Sequence, residues 1–147
     1  MIDEFVKVWF EHKDELEREF RYRRPRGYAD IVGGLVGLLV RHLDGYEKPD
    51  TDRIHQIDDG DYQGTLVFVI GATGYQPSRY WATRVSYGSC SGCDTLQAIQ
   101  GWNETPDEDE VAGTMTLALH LLQQLKPLWP EGWEYGKVES PAQRDEG

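Results

Sequence analysis

The chain has 147 residues, 39% of them hydrophobic, and a formal net charge of −11. That is enough apolar matter for one folded domain with a substantial core, and it argues against disorder. The acidic balance repels nucleic acid and anionic membranes through its mean field, although it would also suit a nucleic-acid mimic occupying another protein's groove.

Two cysteines make no disulfide framework, and the acidic start at Asp3 and Glu4 shows no leader pattern, so a reducing cytosol is the expected setting. The longest apolar run, Ile31 to Val40, is ten residues and falls short of the roughly 20 needed to span a bilayer. Five Trp and eight Tyr are more than a core of this size demands. Those side chains carry binding energy at contact surfaces, so an interaction surface is expected.

The segment from Ile2 to Phe20 places Ile2, Phe5, Val6, Trp9, Leu16 and Phe20 at helical spacing, with charged residues between them. His12 falls near this stripe and reads as a packed or boundary histidine. Pro25 and Gly27 then break the helix inside Arg21-Tyr22-Arg23-Arg24-Pro25-Arg26-Gly27, the one basic cluster of the chain. Four arginines beside Tyr22 suit phosphate or nucleic acid, but a linker that pairs with the protein's own carboxylates is the simpler expectation.

A second helix is predicted over Tyr28 to Leu43, apolar on nearly all faces and central to the core. Gly33, Gly34 and Gly37 each cost about 1 kcal/mol against alanine in a helix, which calls for close packing in return. His42 in its last turn favours the helix dipole when protonated.

Three strands follow. Arg53 to Asp58 alternates, with a bend or bulge expected between Ile54 and Ile57; Thr65 to Ile70 is nearly all apolar and reads as covered on both faces; Tyr80 to Tyr87 alternates again. The connections are too short for parallel crossovers, so the strands form an antiparallel meander. A short helix over Asp94 to Gln100 follows, with Asp94 and Gln97 matching a capping box.

The last helix is announced by Thr105-Pro106-Asp107-Glu108, read as N-cap threonine, proline at the first helical position and glutamate at the third. Val111, Met115, Ala118, Leu122 and Leu125 make its buried stripe, His120 lies off it, and Pro127 ends it. The fold class is therefore α+β: a single domain over residues 1–138, with a three-stranded antiparallel meander packed against N-terminal and C-terminal helices. Trp129, Trp133 and Tyr135 pack back or meet a partner, and residues 139–147 form a tail with nothing to bury.

Both cysteines fall in Tyr87-Gly88-Ser89-Cys90-Ser91-Gly92-Cys93-Asp94, a strand-to-helix turn. Its glycines allow a sharp turn whose backbone N–H groups converge on an anion, and Cys93 at the helix mouth is set for a lowered thiol pKa, opposed by Asp94. Cys90 and Cys93 have the spacing of a redox pair, but a thioredoxin fold needs βαβ units that a meander lacks. Zinc would need further ligands from His42, His55 or His120, and none comes in a second close-spaced pair. A Cys/His nucleophile with His55 is a further alternative. No phosphate loop, nucleophile elbow or zinc-protease motif is present.

Four segments carry a family likeness: Asp61-Tyr62-Gln63-Gly64-Thr65-Leu66, Tyr75-Gln76-Pro77-Ser78, the cysteine turn through Gln97, and Met115-Thr116-Leu117-Ala118-Leu119-His120-Leu121. Over roughly residues 50–125 the chain resembles a family of small proteins encoded by bacteriophages and prophages, most distinctively in the cysteine segment. The resemblance implies a viral origin, a bacterial cytoplasm and action by binding host or viral components, including those of host defence. It brings no catalytic residues.

The expectation is a binding protein without a cofactor or membrane attachment, contacting a protein partner or a small anionic ligand. Its contact site comprises Tyr75, Trp81, Tyr87, Gly88, Ser89, Cys90, Ser91, Gly92, Cys93 and Asp94. The alternative is a thiol- or zinc-dependent enzyme using Cys90 and Cys93.

Overall fold

A computed structural model describes residues 2–44, 48–60, 64–73, 79–88, 94–101 and 103–128. Helices α1 (Ile2–Tyr22) and α2 (Tyr28–His42) precede strands β1 (Pro49–Asp58), β2 (Gly64–Ala72) and β3 (Tyr80–Tyr87). A short helix α3 (Thr95–Ile99), a long helix α4 (Glu108–Gln123) and a strand β4 (Lys126–Leu128) complete the order. The class is α+β, as expected. None of the described helices is long and apolar enough to cross a membrane.

The first three strands pair antiparallel in sequence order, and β4 joins as a fourth strand along β3, opposite Tyr80 to Ala82. The expected sheet of three strands thus gains an edge. Lys126-Pro127-Leu128 has no strand periodicity, and its proline is tolerated because it lies on the outermost strand. The helix has already ended at Gln123, before Pro127.

Alternation along the strands decides which face is buried. Leu66, Phe68, Ile70 and Ala72 of β2 and Trp81 and Thr83 of β3 lie in the core, while Val67 and Val69 between them are only half-buried. The β2 run is therefore covered on one face, contrary to the two-sided cover expected from its composition. Phe5 of α1 meets the Trp81 ring at 5.7 Å, and the Thr83 hydroxyl donates to the Leu121 carbonyl of α4 at 2.9 Å. Helices α2 and α4 lie directly on the inner face, α2 against β1 and α4 against β3, while α1 packs on those two helices and reaches the sheet through Phe5. In β1 the irregularity lies between Pro49 and Ile54, not between Ile54 and Ile57. Ile57 consequently stands on the outer face, 55% exposed.

Helix α2 is the centre of the core, with Ile31, Val32, Leu35, Val36, Leu38 and Leu39 all buried. Of its glycines, Gly34 has a clear packing reason: a Cβ there would sit 2.9 Å from Leu16 Cδ1, so the missing side chain lets α1 and α2 approach closely. Nothing in the structure explains Gly33.

Helix α4 begins two residues later than expected. Asp107 is the N-cap and accepts the Glu110 N–H at 2.8 Å, so Thr105 and Pro106 precede the helix. Glu110 then turns inward, 5% exposed, and receives a forked pair of bonds from Arg24 and the Gly101 N–H at 3.0 Å. Arg21 pairs with Glu17 and Glu108. Two arginines of the basic cluster are thus held by the protein's own carboxylates.

Candidate functional site

The expected contact site is seen through its frame. Tyr75 and Ser89, Cys90, Ser91, Gly92 and Cys93 lie outside the described residues, whereas Trp81, Tyr87, Gly88 and Asp94 lie within them. Trp81 is fully buried, opposite Pro127 on the inner side of the sheet and against Phe5. A ring with no exposed surface offers nothing to a partner, so Trp81 belongs to the core and not to a contact surface. The strand's alternation dictates this: Trp81 shares its face with Thr83, which points at α4.

Asp94 closes the neck of the turn. Its carboxylate is 7% exposed; Oδ1 accepts from the Tyr28 hydroxyl at 2.6 Å and the Gln97 N–H at 3.1 Å, and Oδ2 accepts the Gly88 N–H at 2.9 Å. From the other side, Gln97 Nε2 donates to the Gly88 carbonyl at 2.8 Å. Half of the expected capping box is therefore present. Asp94 caps α3, but the Gln97 side chain reaches Gly88 instead of the Asp94 N–H. Both backbone groups of Gly88 are tied to the start of α3, so the chain leaves β3 and re-enters at Asp94 through a fixed gate.

Tyr28 anchors that gate to the core. Its hydroxyl donates to Asp94 and accepts the Leu96 N–H at 3.0 Å. Burial, and then the Asp94 carboxylate, push the Tyr28 hydroxyl up to about 12 against the opposing Leu96 N–H. Burial alone would raise the Asp94 carboxyl too. The Tyr28 hydroxyl and the Gly88 and Gln97 N–H groups together outweigh it, and Asp94 is held below the usual aspartate value.

These bonds bear on the expected anion site. The N–H groups of Gly88, Leu96 and Gln97 already have protein acceptors, and α3 is only five residues long. Among the described residues, the helix mouth therefore has those three donors engaged, and the dipole behind them is short.

Beside the gate, Tyr87 donates its hydroxyl to Asp58 Oδ1. That bond, with the Gly60 N–H, holds the Asp58 carboxyl below its ordinary value. Since β4 covers only Tyr80 to Ala82, the remainder of β3 borders an open polar cleft of about 470 Å³ lined by Arg84, Ser86, Thr95, His120 and Gln124. His120 and His55 are both exposed, His55 on β1 and His120 on α4.

One cluster was not expected from the sequence. His12 and Glu15 of α1 meet His42 of α2, with His42 Nε2 at 2.7 Å and His12 Nδ1 at 3.7 Å from the same oxygen, Glu15 Oε2. The signal available was His12-x-x-Glu15, which puts both side chains on one helix face. Nothing in the sequence joined His42 to it.

No protein-family model matches this chain, and neither a curated protein nor a solved structure matches it.

Proposed function

We propose that this is a binding protein that presents the turn between Gly88 and Asp94 to a protein partner. The observation that carries the reading is the gate: Gly88 is bonded through both backbone groups to Asp94 and Gln97, and Asp94 is bonded to Tyr28 in the core. A loop whose ends are fixed on a rigid scaffold loses less conformational freedom when it binds. The polar cleft along β3 extends the surface available beside it.

A protein partner suits this frame better than a small anion, because the described N–H groups at the turn are spent within the fold. The likeness to phage and prophage proteins supports a host or viral partner in a bacterial cytoplasm, with host defence among the candidates. Trp81 has no part in the contact.

The test compares capture of a partner from bacterial lysate by the full chain and by two variants. One replaces residues 89–93 with glycine and serine at equal length; the other is Cys90→Ser/Cys93→Ser. A partner held by the parent chain and the double serine variant but lost with the replaced turn is the expected result. Undiminished capture by the replaced turn overturns the site, and loss with the serines alone shifts the reading to thiol or zinc chemistry at Cys90 and Cys93.

A further inference from the structure

The His12, Glu15 and His42 side chains occupy a different part of the fold from the turn. One ligand atom from each lies within 4.8 Å of the others, and each side chain is between 22% and 34% exposed. All three stay within reach of solvent. We infer that His12, Glu15 and His42 form a site for a single divalent transition cation of the zinc class.

The donor set decides the class of metal. Two imidazoles and one carboxylate suit zinc, cobalt or nickel, whereas magnesium and calcium favour all-oxygen shells. Around an ion with bonds of about 2.0–2.2 Å, tetrahedral ligand atoms stand roughly 3.3 Å apart. The 2.7 Å and 3.7 Å separations from Glu15 Oε2 bracket that spacing, so the ligand atoms are already close enough together and only the ring orientations have to change. The remaining coordination positions face solvent and take water.

The surrounding charges favour a cation. Glu11 Oε1 lies 3.9 Å from His12 Nε2, and Glu15 and Glu19 share the Arg41 guanidinium. Arg41 Nε contacts Glu15 through Oε1 at 3.2 Å, leaving Oε2 directed at the histidines. That is the outer-shell bond expected of a carboxylate that binds metal through one oxygen.

The two rings are stacked at 3.5 Å and only 5° from parallel. Parallel rings in face contact cannot both aim an in-plane nitrogen lone pair at one ion. Loading therefore opens the pair by rotation about a histidine χ2, a soft torsion. Opening of the stack is thus a signature of binding.

The test titrates the full-length protein with Zn²⁺ by calorimetry and with Co²⁺ by visible absorption, and follows the histidine ring resonances by NMR. One equivalent should bind, the His12 and His42 ring signals should move, and those of His55 and His120 should stay. His12→Ala, His42→Ala and Glu15→Gln should each weaken Zn²⁺ by at least about tenfold. Cys90→Ser/Cys93→Ser should leave the affinity unchanged. Absence of binding to the parent protein, movement of the wrong ring signals, or loss with the serine variant alone overturns the site. If an alanine variant fails to fold, the ring signals of the parent protein still decide the question.

Discussion

The Tyr28 hydroxyl stands 2.6 Å from Asp94 Oδ1, joining the first turn of α2 to the N-cap of α3 across 66 positions of sequence. The same oxygen takes the Leu96 N–H, so one phenol serves both a buried carboxylate and a backbone donor.

Removing that phenol isolates both partners. Tyr28→Phe keeps the ring in the core but leaves Asp94 and the Leu96 N–H each short of a bond, at a cost of about 1–3 kcal/mol. Asp94→Ala should cost more, because the Tyr28, Gly88 and Gln97 donors all lose their acceptor. Urea denaturation of both variants checks the order. Equal stability of Asp94→Ala and the parent chain would show that the gate is not a structural element.

The same groups set a dependence on pH. Asp94 and Glu110 have lowered pKa values in the fold: Asp94 by its donors outweighing burial, Glu110 chiefly by Arg24. Their contribution is complete above the ordinary values of 3.8 and 4.5 and is lost as pH falls through the lower folded values. Tyr28 is raised by burial and then by Asp94, so its contribution is complete below 10 and is lost as pH climbs toward about 12. Urea midpoints measured across pH should decline at both ends, and Tyr28→Phe should flatten the alkaline decline. An unchanged alkaline slope in that variant would remove Tyr28 as its cause.

The arginines of the basic cluster should behave unequally. Arg24→Ala leaves Glu110 charged and nearly buried, with only the Gly101 N–H and a cap-region setting to support it, and should cost on the order of 2 kcal/mol. Arg21 pairs with half-buried Glu17 and exposed Glu108, and Arg21→Ala should leave the thermal midpoint close to that of the parent chain. Equal losses in the two variants would contradict the difference in burial.

Trp81 provides a check on the core assignment. Trp81→Ala should cost about 3–5 kcal/mol through the cavity it leaves beside Phe5. Partner capture by whatever fraction stays folded should be unaffected. A stable variant that loses its partner would return Trp81 to the contact surface.

Local chemistry alone determined much of this protein. Helical spacing marked α1, α2 and α4; short connections required β1, β2 and β3 to run antiparallel; and Asp94 was legible as a cap because its side chain needs only the next turn of chain. Each of these depends on residues within a few positions of one another. Tertiary structure decided the rest. Asp107 took the cap from Thr105 while Glu110, three residues on, turned toward Arg24, a partner 86 positions away. Lys126 to Leu128 became a strand only because β3 offered an open edge; alternation put Trp81 and Thr83 on one face of β3, and the helices packed against that face, with Phe5 at the Trp81 ring, made it the buried one. His12 and His42 came together because α1 and α2 pack side by side. Spacing along a chain encodes which face a side chain takes, but its neighbour across that face is fixed by packing between elements, which no local pattern records.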